Sequence, residues 1–343
     1  PPEYWLPITR SFIAALALAV VAFLLGLGVL WLRPRVRARL GGAPLTEEPA
    51  LADMIAAAPP RPKPAPVAKP VAESAAAQTA AHDDPIPDAS IFRAYDIRGV
   101  VGQTLTESVA RQLGRAIGSA VRDRELSEIV VGRDGRLSGP MLSDALIEGL
   151  RAAGVDVIDI GAVPTPVSYF AAYQLNTGSC VSVTGSHNPP DYNGFKIVVG
   201  GETLSGDAIA DLHKRIADDR LYTASSPGTL AERDVSQDYV DRIAGDVQAD
   251  RRLKVVVDAG NGAAGELGPR VLEAIGVEVE PLYCEIDGNF PNHHPDPSDP
   301  HNLEDLVRMV QRLGADLGIA FDGDGDRLGV VTRSGENIYP DRL

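Results

Sequence analysis

From residue 91 onward, short apolar runs alternate with amphipathic segments along the chain. The apolar runs have the length of β-strands, and the segments between them place apolar residues at helical spacing. In a first block the strand-like runs lie in EIVVGRDG, VDVIDIG and SCVSVTG, and the helix-like segments are SGPMLSDALIEGLRAAG and PTPVSYFAAYQL. This alternation predicts a mainly parallel mixed sheet covered by helices, with one helix that begins at Ser138 and has Gly154 at its C-cap.

A second block repeats the scheme with LKVVVDAGNG, GELGPRVLEAIG, VEVEPLYC, NLEDLVRMVQRLG and DLGIAFDGDGDRLGVVT. The turns that follow three of the strands, GRDG, DAGNG and DGDGD, are also similar, which indicates two copies of one unit. We therefore predict an α/β protein built from repeated domains. Domain I occupies residues 89–232, domain II occupies residues 233–330, and residues 331–343 begin a third domain.

The N-terminal region, residues 1–40, predicts a membrane anchor. Residues 11–32 are uncharged, apolar and long enough to cross a bilayer as one helix. A cleaved signal peptide fits less well, because the apolar core is longer than usual and arginines follow it where a small-residue cleavage site would lie. Arginines are concentrated in residues 33–39, whereas Arg10 stands alone on the other side, so we expect the following domains on the cytoplasmic side of the inner membrane.

Residues 41–88 connect this segment to the first α/β block. They are rich in alanine and proline and have no periodicity that would bury one face. The composition predicts a disordered, semi-extended linker. The run PRPKPAP within it is also a weak match to a proline-rich partner-binding motif.

The composition limits the partners of the chain. With 44% hydrophobic and 23% charged residues, most of the 343 residues can form buried cores. The formal net charge of -15 argues against nucleic acid as a partner, so an anionic ligand would need a local basic pocket. Cys180 and Cys284 each lie in an apolar, strand-like run, which predicts two buried thiols rather than a disulfide or a pair of metal ligands.

An acidic loop, FDGDGDR, follows the last long apolar strand and contains Asp322, Asp324 and Asp326 at alternating positions. Glycines between them allow the backbone to curl, so that the three carboxylates converge. Adjacent carboxylates repel one another unless a cation neutralises them, and oxygen ligands favour Mg²⁺. An EF-hand does not fit, because arginine stands where that loop needs glycine and glutamate. A purely structural acidic turn is the other alternative.

Ser186 lies between two apolar runs in VSVTGSHNPPDYNGFKIV. Its neighbours favour a turn, and the serine could be part of that turn alone. The glycines that flank a hydrolase nucleophile at two residues on each side are absent from this segment. A phosphoryl group on Ser186 would instead account for the acidic loop, because phosphoryl transfer depends on positioning and charge neutralisation.

Five segments resemble the α-D-phosphohexomutase superfamily: TGSHNPPDYNGFKIV, FDGDGDR, FRAYDIRG, GRDGR and DGNFPNHHPDP. The resemblance begins near residue 89 and is greatest to the bacterial phosphomannomutase/phosphoglucomutase branch. It implies interconversion of hexose 1-phosphates and 6-phosphates of mannose or glucose through a phosphoserine and a hexose 1,6-bisphosphate. It further implies glucose 1,6-bisphosphate as activator and a product used in nucleotide-sugar and exopolysaccharide synthesis.

Carried over by position, the resemblance implies that Ser186 donates and accepts the phosphoryl group. Asp322, Asp324 and Asp326 would hold one Mg²⁺ together with the phosphoserine, and Mn²⁺ or Zn²⁺ could substitute. Prolines interrupt the histidines of NHHPDPSDPHN, so this segment predicts a packed loop rather than a structural zinc site.

Four further residues receive roles from the resemblance. Lys196 matches a proton-transfer residue, and desolvation would give it the lowered pKa that such a role needs; the alternative is an ordinary strand lysine. Arg98 would line the cleft and Arg327 would orient the phosphate, although either could be a structural ion-pair arginine. His187 would hydrogen-bond in the cleft or only stabilise the loop.

Two other functions are alternatives. Phosphoglucosamine mutases share this chemistry, but they usually have Ser-Ala-Ser-His-Asn-Pro where this chain has Thr-Gly-Ser-His-Asn-Pro. A membrane-anchored regulatory protein with an inactive mutase module is the second alternative. The family's sugar-reading and phosphate-clamping loops have no match after Arg327. We therefore expect these residues alone to turn over hexose phosphates at a small fraction of a complete enzyme's rate.

Overall fold

A computed structural model describes residues 85–338. The predicted membrane segment at residues 11–32 and nearly all of the linker at residues 41–88 lie outside this range, as do residues 339–343. No helix between residues 85 and 338 combines the length and the apolar character that crossing a bilayer requires. The membrane segment therefore stays a prediction from the sequence.

The first sheet contains strands β1 (Ile97–Val100), β2 (Glu128–Arg133), β3 (Asp156–Ala162), β4 (Cys180–Val183), β5 (Tyr192–Val199), β6 (Glu202–Thr203) and β7 (Leu230–Glu232). Their order is β1-β5-β4-β2-β3-β7, with β6 beside β5. Strands β4, β2, β3 and β7 are parallel, whereas β5 is antiparallel to β1, β4 and β6. The predicted mixed sheet is therefore present, with a parallel part of four strands. Strand β5 is antiparallel because residues 184–191 are too few for the crossover that a parallel β4–β5 pair would need.

Helices α1 (Glu107–Asp123), α2 (Gly139–Ala152), α3 (Thr165–Gln174) and α4 (Asp207–Ala217) cover this sheet. Helices α1, α2 and α4 share a core with Ile129 and Val131, and α3 packs on the opposite face with Val130. Helix α2 is the helix predicted from Ser138, and Gly154 follows it with a φ of +75°. Both faces of the sheet are therefore buried, as the prediction of a helix-covered sheet requires.

The second sheet contains β8 (Lys254–Asp258), β9 (Glu278–Leu282), β10 (Leu317–Phe321), β11 (Leu328–Thr332) and β12 (Asn337–Ile338), in the order β12-β11-β10-β8-β9. Strands β10, β8 and β9 are parallel, and β11 is antiparallel to β10. Helices α5 (Ser236–Asp246), α6 (Ala264–Ala274) and α7 (Glu304–Leu313) belong to the same half of the chain. Short 3-10 helices lie at Ala89–Ile91 and Pro300–Leu303.

The two cysteines are free thiols. Burial raises the pKa of Cys180 to about 12 and that of the half-buried Cys284 to about 11. The prediction of buried thiols is confirmed for Cys180 and holds in part for Cys284.

The functional candidates lie where strands end. Ser186 follows β4, and the acidic loop follows β10, so both lie at the carboxyl ends of parallel strands, where α/β folds place ligands. The loops of the two domains also contact each other: a Cβ atom on Gly323 would lie 2.4 Å from the carbonyl oxygen of Ser186. Only glycine at position 323 allows this approach.

Candidate active site

Ser186 lies in the serine loop, which we define as residues 184–191 between β4 and β5. Its backbone is in the left-handed region with a φ of +47°, and the residue is 1% exposed. The hydroxyl donates to Asp322 Oδ2 at 2.7 Å, and the backbone amide donates to Thr184 Oγ1 at 2.7 Å. The serine oxygen is therefore held at the contact between the two domains, against a carboxylate.

A buried arginine, Arg136, determines the shape of the serine loop. Its Nη1 donates to the carbonyl oxygens of Pro189 at 2.5 Å and Tyr192 at 2.9 Å. Its Nη2 donates to the carbonyl oxygens of Ser186 at 2.7 Å and Asn188 at 2.6 Å. One cation thus satisfies four carbonyl oxygens, so the protein itself supplies the hydrogen bonds that this curled backbone needs.

Asp134 is the buried counter-ion of this arginine. Its Oδ2 accepts hydrogen bonds from Arg136 Nε at 3.2 Å, from Thr184 Oγ1 at 2.8 Å and from the amide of Gly185 at 3.1 Å. Burial raises the pKa of Asp134, and the charge of Arg136 acts against this rise. A Cβ atom on Gly185 would lie 2.1 Å from Arg136 Nε, so the loop passes over the guanidinium only because residue 185 is glycine.

Neither Asp134 nor Arg136 was a predicted site residue, although GRDGR was one of the resembling segments. The register of the sheet explains their position: β2 and β4 are parallel, with Arg133 opposite Val183. The residues that follow these strands therefore meet, and Asp134 reaches Thr184. The available signal was a charged pair directly after a strand that neighbours the serine strand.

Arg98 supports the serine loop from β1. Its Nη1 donates to the carbonyl oxygen of Gly185 at 2.5 Å and to Asn188 Oδ1 at 3.0 Å, and its Nη2 pairs with Asp96. Arg98 is 5% exposed. These contacts include the ion pair that the structural alternative expects, and the lining of the cleft by Arg98 stays a prediction.

The metal loop, residues 322–327, brings three carboxylates together. Asp322, Asp324 and Asp326 each present an oxygen within 4.8 Å of the other two. The backbone amides of Asp326 and Arg327 both donate to Asp322 Oδ1 at 3.0 Å, which closes the turn between β10 and β11. The convergence predicted from the alternating glycines is therefore present in the structure.

The hydrogen bonds to Asp324 are unevenly divided between its two oxygens. Oδ2 accepts from Thr165 Oγ1 at 2.6 Å and from Lys196 Nζ at 2.7 Å, whereas the buried Oδ1 has no hydrogen-bond partner among residues 85–338. Burial acts to raise the pKa of Asp324, but Lys196 and Thr165 outweigh it and lower the pKa to about 2. Burial, together with the charges of Asp324 and Asp326, raises the pKa of Asp322 to about 7.

The donor set fits a hard divalent cation. Three carboxylates and a serine hydroxyl supply oxygen ligands only, which is the preference of Mg²⁺. A buried carboxylate oxygen without a donor, such as Asp324 Oδ1, normally has a partner in a folded protein. A cation among the three aspartates would be that partner, and it would relieve the repulsion that raises the pKa of Asp322.

Lys196 lies on β5 with its ammonium group between two of the aspartates, in contact with Asp324 Oδ2 and Asp326 Oδ2. Burial acts to lower the pKa of Lys196, but the two carboxylates outweigh burial and raise the pKa. The prediction of a lowered lysine pKa is therefore wrong for this arrangement. Desolvation was the correct effect to expect, but the charges that face the lysine are stronger.

His187 and Arg327 lie at the edge of the site. His187 Nδ1 is 3.5 Å from Ser186 Oγ, and burial together with the charge of Arg327 lowers the pKa of the imidazole. The side chain of Arg327 is exposed, and its backbone amide donates to Asp322. The phosphate-orienting role of Arg327 stays a prediction.

The histidine-rich segment forms a packed loop beside the metal loop. His293 Nε2 lies 3.1 Å from both carboxylate oxygens of Asp258, and His301 pairs with Glu304 on the surface. Within residues 85–338, the group of potential metal ligands consists of the three aspartates and includes no histidine. The packed-loop interpretation therefore describes this segment.

Comparisons with known proteins agree with this geometry. Residues 89–223 match the phosphoglucomutase/phosphomannomutase alpha/beta/alpha domain I, and residues 237–335 match domain II of the same family. A phosphomannomutase/phosphoglucomutase of Pseudomonas putida is 56% identical over an alignment that covers 75% of this chain and 55% of that protein. A phosphoglucomutase of Neisseria gonorrhoeae is 50% identical over 74% of this chain and 55% of that protein. A solved phosphoglucomutase/phosphomannomutase family protein from Burkholderia thailandensis superimposes with a TM-score of 0.70 at 55% identity, covering 74% of this chain and 56% of that one. The chain thus spans about half the length of the relatives it matches.

Proposed function

Because this chain belongs to the phosphoglucomutase/phosphomannomutase family, we propose that it is a mutase that interconverts hexose 1-phosphates and hexose 6-phosphates of mannose, glucose or both. The observation that carries the proposal is the contact of Ser186 Oγ with Asp322 at 2.7 Å, at the mouth of a cluster of three aspartates. A serine and a cation site from two domains meet at one point, and this is the arrangement that a phosphoserine mechanism needs.

The proposed phosphoryl transfer takes place between Ser186 and the sugar and needs no further reactant. In one half-reaction the bond between phosphorus and Ser186 Oγ breaks and a bond between phosphorus and a sugar oxygen forms. The proton of the attacking sugar hydroxyl replaces one that Ser186 Oγ receives. Because Asp324 and Asp326 hold Lys196 as an ammonium, we assign Lys196 to donate a proton to Ser186 Oγ as its bond to phosphorus breaks and to take up the proton of the sugar hydroxyl. The second half-reaction reverses these steps at the other end of the sugar bisphosphate, and glucose 1,6-bisphosphate would prime the serine.

We propose that Asp322, Asp324 and Asp326 hold one Mg²⁺ together with an oxygen of the phosphoserine. Such a cation, when bound, neutralises charge on the phosphoryl group during its transfer. The serine loop contributes pre-organisation, because Arg136 and Arg98 fix its backbone before any ligand arrives. The roles of Arg327 in orienting the phosphate and of His187 in hydrogen bonding are part of the same proposal.

The test of this function is transfer of labelled phosphate from glucose 1,6-bisphosphate to the protein. We expect one labelled site in the unaltered protein and none in Ser186→Ala, because Ser186 is the serine whose hydroxyl faces the aspartate cluster. Ser205→Ala is the matched control, since Ser205 is an exposed serine of the same domain. Its labelling should equal that of the unaltered protein.

Undiminished labelling of Ser186→Ala would contradict the proposal. A protein whose Ser186 stays unphosphorylated even when the bisphosphate and Mg²⁺ are supplied would point to the inactive, regulatory alternative. The intact Ser186, Lys196 and three aspartates support the active enzyme instead.

The sugar is a finer part of the proposal. The relatives are named for mannose and glucose phosphates or for glucose phosphates alone, which supports these sugars over glucosamine. Relative turnover of mannose 1-phosphate, glucose 1-phosphate and glucosamine 6-phosphate would decide between them. Preference for glucosamine 6-phosphate would establish the phosphoglucosamine mutase alternative.

We further propose that the residues at 11–32 anchor the chain in the inner membrane, with the mutase domains on the cytoplasmic side. The support is the apolar length of this segment and the excess of arginine after it. In spheroplasts, external protease should leave the domains intact. Cleavage of the domains without lysis would reverse the assigned orientation.

A further inference from the structure

Thr165 connects the two domains at the metal loop. It is the first residue of α3 in domain I and has no exposed surface. Its hydroxyl donates to Asp324 Oδ2 at 2.6 Å, and its backbone amide donates to the carbonyl oxygen of Asp324 at 2.8 Å. One residue of domain I thus holds both the side chain and the main chain of a predicted metal ligand in domain II.

The hydroxyl of Thr165 is itself oriented by a neighbour. Thr165 Oγ1 and Ser182 Oγ lie 2.9 Å apart, and Ser182 is fully buried on β4. A threonine hydroxyl has one proton, and the carboxylate of Asp324 can only accept. The proton of Thr165 therefore points to Asp324, and Ser182 donates to Thr165.

This chain of hydrogen bonds determines which oxygen of Asp324 is available. Thr165 and Lys196 both donate to Oδ2, and no group in the part of the chain that the structure describes donates to the buried Oδ1. A carboxylate can rotate about its terminal torsion, which has a broad energy minimum, so the fixed orientation needs a cause. The two donors on one oxygen supply that cause, and they leave Oδ1 as the ligand.

We propose that Thr165 is a positioning residue of the metal centre. It fixes Asp324 so that Oδ1 ligates the cation, and it makes the affinity for the cation depend on the contact between domains I and II. The inference rests on the proposed function, because it assumes that the three aspartates bind the metal. Residues that orient metal ligands in this way typically change metal affinity 10- to 100-fold when they are removed.

The experiment measures Mn²⁺ binding to the protein by electron paramagnetic resonance, without substrate and without an activity readout. Thr165→Val keeps the shape and removes the donor, so we expect its dissociation constant to rise about tenfold or more. Thr165→Ser keeps the hydroxyl and should bind nearly as the unaltered protein does. Thr229→Val is the matched control, because Thr229 donates to Asp156 at 2.8 Å at the amino end of β3, away from the metal loop.

Circular dichroism shows whether each variant is folded. If Thr165→Val is unfolded, Ser182→Ala serves as the second variant, since it removes only the donor to Thr165 and should weaken Mn²⁺ binding to a smaller extent. If a folded Thr165→Val, or Ser182→Ala in its place, binds Mn²⁺ with the same affinity as the unaltered protein, the positioning role of Thr165 is overturned. The proposed metal site itself would still stand. Absence of Mn²⁺ binding by the unaltered protein overturns the proposed metal site and this inference with it.

Discussion

The serine loop and the metal loop lie side by side, but the protein supplies hydrogen-bond donors to their oxygen atoms to very different degrees. Four carbonyl oxygens of residues 186–192 accept hydrogen bonds from one buried arginine, and a second arginine supports the loop from the other side. In the metal loop, by contrast, Asp324 Oδ1 is buried and has no donor within the described range, residues 85–338. The protein therefore supplies the donors that hold the serine loop, whereas the metal loop leaves a buried carboxylate oxygen to the cation that we propose.

The charges around the two loops follow the same division. Two guanidinium groups contact the serine loop, and three carboxylates lie in the metal loop. Within the metal loop, the nearby donors determine which carboxyl group ionises more easily. Lys196 and Thr165 donate to Asp324 and lower its pKa to about 2, whereas burial and the neighbouring carboxylates raise the pKa of Asp322 to about 7. A rigid serine next to an under-compensated acidic group is suited to a phosphoryl group bridged by a cation.

The largest expected effect comes from breaking the support of the serine loop. Arg136→Leu leaves Asp134 as an unpaired buried charge and removes the donors of four carbonyl oxygens. We expect a loss of about 3–5 kcal/mol in the free energy of unfolding, measured by urea denaturation. Arg111→Leu is the control, because Arg111 pairs with Glu148 on the surface and should change stability by about 0–1 kcal/mol. Equal stability of the two variants would contradict the claim that the serine loop is held by Arg136.

The next effect comes from removing a ligand of the metal loop. Asp324→Ala should lower turnover by about 10²–10³-fold while the protein stays folded, because this carboxylate would hold the proposed cation that stabilises charge at the phosphoryl group. Steady-state kinetics and circular dichroism together provide the measurement. Loss of folding alongside activity would instead identify the loop as a structural acidic turn.

Addition of Mg²⁺ should reveal a further difference between the metal loop and the serine loop. A cation that binds only the folded protein stabilises it by RT ln(1 + [L]/Kd) and so raises the melting temperature as its concentration increases. We expect thermal unfolding with and without Mg²⁺ to show stabilisation of the unaltered protein and of Arg111→Leu, but not of Asp324→Ala. Equal stabilisation of Asp324→Ala would show that Mg²⁺ binds elsewhere.

The smallest effect concerns the loop that packs against the metal loop, where a Cβ on Gly323 would lie 3.4 Å from Pro295. Burial acts to lower the pKa of His293 in this loop, but Asp258 outweighs it and the pKa is raised above 6.5. Protonated His293 therefore contributes stability that is fully present below pH 6.5 and is lost as the pH rises through the raised pKa. His293→Gln should remove this part of the pH dependence in unfolding measurements between pH 5 and pH 9, and an unchanged profile would show that the pair with Asp258 does not contribute.

The elements that could be predicted from the sequence are those with local signals. Apolar periodicity predicted the alternating strands and helices, and FDGDGDR predicted converging carboxylates, because glycine spacing and strand position are local properties. The antiparallel β5 was predictable in principle, since residues 184–191 are too short a connection for a parallel pair. The amphipathic helix α1 was not among the predicted elements.

The contacts that complete the site depend on packing and were not predictable in the same way. Arg136 and Asp134 reach the serine loop through the register of β2 and β4, and Thr165 reaches Asp324 through the contact of the two domains. The direction of the pKa shift of Lys196 also needed the structure, because burial and nearby carboxylates act in opposite directions. The chemistry of a single residue can therefore be predicted from the sequence, whereas the net effect of its neighbours on its contacts and its pKa cannot.

The most direct test of the account is the anomalous scattering of Mn²⁺ in crystals of the protein phosphorylated by glucose 1,6-bisphosphate. We expect one anomalous peak bound by Asp322, Asp324 Oδ1, Asp326 and an oxygen of phosphoserine 186, with residue 186 still in the left-handed backbone region. A peak elsewhere, a peak bound through Asp324 Oδ2, or a serine loop that has rearranged around Arg136 would contradict it.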